Sequence, residues 1–185
     1  MVTESLESYA GRMAVFASIA ASLDGFIRSE NGDMAWLNDA MRRDEDYGMA
    51  ETMQRGGAYV LGARTYRESV AMFGGGKATP PTYVLTHAAP EEAPSGVTFT
   101  SEDIRKVVTT AQSATDKDVN VFGGGDVLTQ ALAAGALDEL MIAVVPVVLG
   151  GGTRLFGEFE QSKRLSLTDC TSFEGGIVLL RYASM

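Results

Sequence analysis

Residues 119–128 read Val-Asn-Val-Phe-Gly-Gly-Gly-Asp-Val-Leu, and they indicate the fold more clearly than any other stretch. An apolar run ends in three glycines, and a helical pattern begins directly after them. Glycine lets a ligand approach the backbone closely. Because a helix N-terminus carries unpaired amides and partial positive charge, such a turn is typical of a phosphate site. A tight turn that only closes a strand against a helix gives the same pattern.

The composition restricts the classes of partner. The chain has 185 residues, of which 45% are hydrophobic, as is typical of a globular protein. The net charge of −9 and the lack of a basic cluster argue against a nucleic-acid partner, because phosphate backbones are bound through clustered Lys and Arg. A single cysteine, Cys170, and a single histidine, His87, predict that the protein holds no metal.

The apolar segments are too short or wrongly flanked for membrane insertion or export. Residues 13–21 resemble the core of a signal peptide, but residues 1–12 carry two glutamates and one arginine. The apolar run at 140–149 is too short to span a bilayer and contains Pro146. We therefore expect no membrane partner and a cytoplasmic location.

Strand and helix patterns alternate along most of the chain, which predicts an α/β fold with a mainly parallel sheet and an antiparallel hairpin at its C-terminal edge. Residues 1–12 are expected to be a flexible extension, and residues 13–185 a single domain. Eight strands are predicted, at 13–20, 58–61, 82–86, 97–99, 119–122, 137–146, 164–172 and 176–183. Four helices are predicted, at 39–55, 64–72, 101–113 with Ser101 as N-cap, and 126–134. Long loops are predicted at 21–37 and 147–159.

A second glycine turn follows another predicted strand. Residues 61–66 read Leu-Gly-Ala-Arg-Thr-Tyr, in which Arg64 supplies a cation and Thr65 a hydroxyl that can donate to phosphate. In a parallel sheet both turns lie at the carboxyl ends of strands, where ligands bind. Two phosphate sites fit a dinucleotide better than a single phosphate ester. The Walker and Rossmann glycine patterns are both incomplete, so neither of those nucleotide sites is predicted.

Several motifs occur together in one order along the chain. They are residues 22–27 (Ser-Leu-Asp-Gly-Phe-Ile), 61–66, 121–125 (Val-Phe-Gly-Gly-Gly), 137–140 (Leu-Asp-Glu-Leu) and 146–152 (Pro-Val-Val-Leu-Gly-Gly-Gly). In this order the chain resembles the dihydrofolate reductase superfamily. It looks closest to the branch that contains the C-terminal reductase domain of the bifunctional riboflavin-biosynthesis deaminase/reductase. The resemblance covers nearly all of residues 13–183 and implies a dihydrofolate reductase-like three-layer fold.

The resemblance implies NADPH as the hydride donor and a homodimer. One glycine turn would hold cofactor phosphates, and the triple-glycine turn would pack on the pyrophosphate. The residues at the end of a strand, Thr86 and His87, would bind the 2′-phosphate. Two apolar residues, Ala17 and Ile27, would lie beside the nicotinamide. The cofactor-binding residues so implied are Ala17, Ile27, Gly62, Arg64, Thr65, Thr86, His87, Gly123, Gly124, Gly125, Asp126 and Val127.

The substrate side departs from both branches of the family. Dihydrofolate reductases place a carboxylate early in the first helix, which corresponds here to Asp46, and a threonine where this chain has Ala143. The riboflavin enzyme has a polar phosphate-binding run where this chain has the acidic Asp33 and the apolar Trp36, which are our candidate substrate contacts. The proton donor is Asp24, Asp46 or an ordered water. The Asp-Gly pair equally predicts that Asp24 orders its own turn.

Two functions fit these residues better than the others. The leading hypothesis is an NADPH-dependent reductase of a small heterocyclic substrate. The alternative is a non-catalytic, dimeric NADPH- or nucleotide-binding module, for which no proton donor is needed. A pyrimidine reductase of riboflavin biosynthesis and a true dihydrofolate reductase are less favoured because of the departures above, and a purely structural domain would bind no cofactor at all.

Overall fold

Apolar runs rich in Val, Ile and Ala form the strands, as expected for residues that pack well on a pleated surface. The structure is a computed structural model that describes residues 13–70 and 80–185. The strands are β1 Val15–Ser22, β2 Phe26–Arg28, β3 Gly56–Gly62, β4 Thr82–Leu85, β5 Val97–Thr100, β6 Asp118–Gly123, β7 Glu139–Val145, β8 Thr153–Arg154, β9 Leu165–Ser172 and β10 Val178–Ser184. The helices are α1 Ala35–Ala40, α2 Met49–Arg55, α3 Ala63–Glu68, α4 Ile104–Ser113 and α5 Gly125–Ala133. The predicted extension at 1–12 and the end of the predicted helix 64–72 lie outside the described residues.

Within the described ranges, eight of the strands form one sheet in the order β5-β4-β3-β6-β1-β7-β10-β9. Neighbours from β5 to β7 are parallel, whereas β10 runs antiparallel to both β7 and β9. The remaining two strands, β2 and β8, pair with each other as a short ribbon. The predicted mainly parallel sheet with an antiparallel C-terminal hairpin is therefore confirmed.

Helices cover both faces of the sheet, which gives three layers. On one face, α4 and α5 bury the larger core against alternate residues of the central strands, since side chains alternate between faces of a sheet. Its members include Val15, Ala17, Val60, Val121, Val108 and Leu128. On the opposite face α1 packs over β1 and β7, and α3 packs over β3. The longest helix, α4, has 10 residues, and none of the described helices could cross a bilayer.

The predicted helix at 39–55 is wrong in its extent. The structure has two short helices there, α1 and α2, joined by a turn in which Tyr47 has φ 54° and Gly48 has φ 80°. Tyr47 is only 6% exposed, and its ring packs on Phe173 with a centroid distance of 4.7 Å. The burial of this one aromatic residue favours a turn over a continuous helix, because its left-handed backbone cannot continue an α-helix.

Two smaller predictions also need correction. Asp103, and not Ser101, is the N-cap of α4, since its carboxylate accepts a hydrogen bond from the amide of Arg105 at 2.9 Å. The first helical residue, Ile104, is buried, and this fixes where the helix begins. The predicted long loops at 21–37 and 147–159 contain the β2–β8 ribbon, whose short strands lack a visible alternating pattern.

Candidate functional site

The candidate site lies where the two central strands separate. β1 pairs with β6 at Val15 and Phe16 only, but it pairs with β7 along the whole stretch from Phe16 to Ser22. The gap between β1 and β6 opens into a cavity of about 740 Å³ at the carboxyl ends of the strands. This volume falls within the range of roughly 300–1,000 Å³ that is common for ligand clefts.

The two glycine turns that the sequence predicts lie side by side at this cavity. Leu61 of β3 is aligned with Gly123 of β6. A Cβ placed on Gly62 would lie 3.3 Å from Cγ2 of Val127 and 3.9 Å from the amide nitrogen of Gly124. The turn after β3 and the turn after β6 therefore form one continuous wall of the cavity.

Each residue of the triple glycine meets a different structural requirement. Gly123 has φ +107°, a backbone conformation that L-residues rarely adopt. A Cβ on Gly125 would lie 2.5 Å from the carbonyl oxygen of Arg154, so the backbone at β8 leaves no room for a side chain. Gly124 has an ordinary φ of −75°, faces the cavity, and is joined to Gly123 by a cis peptide bond. Gly124 is therefore the position where the absence of a side chain keeps the backbone accessible from the cavity.

The N-terminus of α5 also opens onto the cavity. Gly124 is its N-cap and offers no side-chain hydrogen bond to the first turn. Gly125, Asp126 and Val127, the first three helical residues, line the cavity. Amides at this position are available to an anion, and the helix dipole favours negative charge there. The carboxylate of Asp126 is the one acidic group in this turn.

The cavity wall continues through α3 to the end of β4. Arg64 is exposed and, among the described residues, it makes no ion pair. Thr65, the next residue, lies beside Gly124. At the far end Thr86 and His87 follow β4, and the Thr86 hydroxyl accepts a hydrogen bond from the amide of Ala88 at 3.1 Å. Within the described ranges no group of His, Cys, Asp and Glu side chains could hold a metal ion.

Most of the predicted cofactor residues come together in this cavity. Its lining includes Ile27, Gly62, Arg64, Thr65, Thr86, His87, Gly124, Gly125, Asp126 and Val127. Gly123 lies directly behind them and shapes the turn. Ala17 differs, because it is fully buried in the core between the sheet and α4 and α5 and is not part of the lining.

Residues that were not predicted from the sequence also line the cavity. Ser18, Ile19 and Ala20 of β1 line the cavity, together with Met34 and Leu37 at α1. The available signal was the strand alternation, which sends Ala17 into the same core as Val15 and Ala21. The prediction was therefore close to the wall of the cavity but did not identify the side chains that form it.

Asp24 lies outside the lining and connects two loops. Its carboxylate accepts hydrogen bonds from the Ser22 hydroxyl at 2.6 Å, from the Gly150 amide at 2.7 Å and from the Leu149 amide at 3.1 Å. These bonds, that of Ser22 first, lower the pKa of Asp24 from 3.8 to about 2. The group is therefore ionised at neutral pH and has its oxygens engaged, as expected for an aspartate that orders its own turn.

The other predicted substrate-side residues also lie away from the lining. Asp46 is exposed, and its carboxylate accepts from the amide of Ala50 at 3.0 Å in the first turn of α2. Asp33 is exposed and bonded to the side-chain amide of Asn31 at 2.6 Å. Trp36 packs with the apolar cluster on β7, and its indole nitrogen has no partner among the described residues. The structure thus brings the cofactor-side residues together but not the predicted catalytic and substrate-binding ones.

Comparison with known proteins agrees with this geometry. The family model of the RibD C-terminal domain matches residues 13–179. The uncharacterized protein YwjB of Bacillus subtilis is 31% identical over 171 residues, which cover 89% of this chain and 94% of that protein. The structure is also similar to that of a putative riboflavin biosynthesis protein from Shewanella sp. PV-4. That comparison has a TM-score of 0.81 and 25% identity, and covers 94% of this chain and 99% of the other.

The fold is shared more widely. Dihydrofolate reductase from Enterococcus faecalis, complexed with NADP(H) and RAB-propyl, superimposes with a TM-score of 0.62 at 18% identity, covering 92% of this chain and 96% of that chain. At this identity the likeness concerns the fold, and it confirms the dihydrofolate reductase-like three-layer architecture. The family match extends over nearly all of the described residues. The chain belongs to the RibD C-terminal domain family.

Proposed function

We propose that the protein is an NADPH-dependent reductase of a small heterocyclic substrate. The observation that carries this proposal is the pair of glycine turns on one wall of the cavity, with Arg64 and the N-terminus of α5 facing the same space. Two adjacent anion-binding turns fit the diphosphate of a dinucleotide. The family and the fold support a reductase role.

The residues present fit this cofactor. Gly124 leaves the backbone open to a pyrophosphate, and Thr65 lies beside it with a hydroxyl that can donate. Arg64, with no ion pair among the described residues, is the proposed contact for the 2′-phosphate, together with Thr86 and His87 at the far end. Asp126 is the one acidic side chain in the α5 turn, and it is exposed, so its carboxylate can turn to solvent.

The remaining wall would hold the nicotinamide and the substrate. When bound, the cofactor supplies a hydride, and the protein contributes orientation and exclusion of water. Ile27 lies beside Gly124, because its Cδ1 is 3.9 Å from the position of a Cβ there. Ser18, Ala20, Met34 and Leu37 continue from this point as the proposed substrate wall. We further propose that the protein is a homodimer, which the resemblance to the riboflavin branch supports, and that it is cytoplasmic, which the charges before residues 13–21 and the short apolar runs of the sequence support.

A non-catalytic NADPH-binding module is the second candidate. The positions of Asp24 and Asp46 favour it, since neither predicted proton donor lines the cavity. Among the described residues, the carboxyls that do line it are Glu68, Glu102 and Asp126. Turnover would therefore need a water molecule, or one of these groups, as the source of the proton.

Two measurements separate these functions. Titration with NADPH and NADH gives the cofactor affinities, and loss of nicotinamide absorbance with a panel of oxidised pterins, pyrimidines and flavin precursors reports turnover. We expect NADPH to bind and to be consumed with at least one member of the panel. At roughly 100 times its dissociation constant, NADPH should stabilise the fold by about 2.7 kcal/mol. Binding without turnover favours the module, and an unchanged melting temperature contradicts cofactor binding altogether.

A further inference from the structure

The charges that line the cavity are nearly balanced. Among the described residues the basic side chains in the lining are Arg28, Arg64 and His87, and the acidic ones are Glu68, Glu102 and Asp126. Two permanent positive charges therefore face three carboxylates. NADPH would already use the amides of α5 for its diphosphate and Arg64 for its 2′-phosphate, so a phosphate group on the substrate would have to depend on Arg28.

Arg28 is already paired. Its Nη1 lies 2.7 Å from Oε1 of Glu68, and the two side chains are 22% and 46% exposed. The guanidinium of Arg28 also lies near the loop before α1, because the position of a Cβ on Gly32 is 3.9 Å from Nη1. Glu68 is the last residue of α3, about 9 Å along the helix axis from its start at the glycine turn. The pair therefore lies on the α1 side of the cavity and away from the proposed phosphate turns.

The other side chains on this side of the cavity have little charge to offer. Ala20, Met34 and Leu37 are apolar, and Ser18, Ser69 and Thr153 contribute hydroxyls but no charge. Among the described residues Ser18 makes no side-chain hydrogen bond. A wall of this kind favours a flat, uncharged molecule with hydrogen-bonding groups over a doubly charged phosphate ester, because an anion loses its hydration there without gaining a cation.

We propose that the substrate of this site is an uncharged heterocycle without a phosphate group, and that Glu68 enforces this by neutralising Arg28. The inference rests on the proposed reductase function. A phosphate monoester would have to displace Glu68 from Arg28 and would leave a carboxylate beside its own charge. The site would thus reject phosphate esters through repulsion by Glu68, and it would accept uncharged heterocycles through its apolar side chains.

The test compares uridine with uridine 5′-monophosphate, which differ only in the phosphate, on protein saturated with NADP⁺. Each variant's preference between the two compounds is measured by thermal stabilisation at equal millimolar concentrations of each compound and by calorimetric titration. The variants are Glu68→Gln, which unmasks Arg28, and the double variant Arg28→Gln with Glu68→Gln. Glu102→Gln is the matched control, because Glu102 also lines the cavity but pairs with Lys106.

In the wild type the nucleotide should stabilise the protein no more than the nucleoside does. In Glu68→Gln the preference should shift toward the nucleotide by about tenfold, as expected for a charge-assisted phosphate contact. The double variant should return to the wild-type preference between nucleoside and nucleotide, and Glu102→Gln should keep that preference. A wild type that prefers the nucleotide overturns the proposal whether or not Glu68→Gln folds, and so does a folded Glu68→Gln without the shift.

Failure of the proposed function is distinguishable from these outcomes. It would appear first, as a lack of NADP⁺ binding in the initial titration. The nucleotide preferences of Glu68→Gln and of the double variant can then be compared on the cofactor-free protein, because these two variants share the open glycine turns and differ only at Arg28.

Discussion

The hydroxyl oxygen of Thr65 lies 3.3 Å from the position that a Cβ on Gly124 would occupy. Thr65 belongs to the turn after β3 and Gly124 to the turn after β6, so a methyl group at position 124 would already be in tight contact with the neighbouring turn. A ligand that lies against these two turns would therefore compete directly with any side chain at position 124.

We predict that Gly124→Val weakens NADPH binding at least tenfold, which corresponds to about 1.4 kcal/mol. The φ of −75° at Gly124 suits any L-residue, so the loss would arise from blocked access and not from backbone strain. Gly157→Val is the control, because a Cβ there meets only Thr129, at 3.8 Å. A folded Gly124→Val with the wild-type dissociation constant would rule out the pyrophosphate assignment.

We predict that Arg64→Ala weakens NADPH binding more than NADH binding. Arg64 makes no ion pair among the described residues, and a 2′-phosphate is the group by which the two cofactors differ. The affinity for NADPH should fall by about tenfold or more, and the affinity for NADH should fall by less. Arg67→Ala, on the same helix but outside the lining, controls for the loss of one surface charge. Equal losses for both cofactors would show that Arg64 does not read the 2′-phosphate.

The hydrogen bonds to Asp24 predict a specific pH dependence of stability. Its pKa is depressed from 3.8 to about 2 in the folded protein, so its contribution is fully present above about pH 4. This contribution is lost as the pH falls from about 4 to about 2. Asp24→Asn should therefore be less stable than the wild type at neutral pH, and the difference should narrow over that window.

Urea unfolding at a series of pH values measures this difference. Asp39→Asn, at an exposed position of α1, controls for the removal of one negative charge. A gap between wild type and Asp24→Asn that stays constant down to pH 2 would contradict the assignment of Asp24 as a hydrogen-bonded carboxylate.

A charged cluster around Arg55 lies at the end of the strands away from the cavity. We predict that its disruption lowers the stability of the fold without weakening NADPH binding. Arg55 donates to Asp118 at 2.9 Å and to Glu139 at 2.8 Å, and its guanidinium lies 4.5 Å from the centre of the Phe16 ring. Arg55→Ala leaves two carboxylates without their shared cation and should lower the free energy of unfolding by about 2 kcal/mol. This is less than the loss expected for a fully buried ion pair, because these groups are part-exposed.

The NADPH dissociation constant of folded Arg55→Ala should stay at the wild-type value, since the cluster lies at the amino ends of the strands. Lys106→Ala is the control for this prediction. It removes an exposed i,i+4 pair with Glu102 and should change the free energy of unfolding by less than about 0.5 kcal/mol. Equal effects of the two substitutions would contradict the role given to Arg55.

The parts of the fold that depend on local pattern could be predicted from the sequence. The triple glycine at 123–125 and the turn at Gly62 have strong local signals, and the structure places them side by side. The C-terminal hairpin was likewise predicted to within a few residues, because two alternating segments flank a short turn. In each case the backbone conformation is fixed by residues that are neighbours in sequence.

The parts that depend on packing could not be predicted in this way. The helix predicted at 39–55 is interrupted because Tyr47 packs against Phe173, a contact between segments far apart in the chain. The assignment of Ala17 to the cavity missed the strand pleat, which turns Ala17 into the core and brings Ser18 and Ala20 to the wall. The Arg28–Glu68 pair has no local signature, since its members belong to a strand and to a helix that meet only in the folded protein.

The placement of β6 between β3 and β1 has a consequence for how the protein folds. Ala17 of β1 pairs with Leu140 of β7, and Val15 pairs with Val119 of β6, so the central strands meet only after long segments of chain have been closed into loops. Contacts of this kind slow folding, because loop entropy is lost before the contacts compensate for it. The gap between β1 and β6 cannot exist until these pairings have formed. A ligand of this gap therefore acts on the native state alone, and it should prolong the lifetime of the folded chain without accelerating its formation.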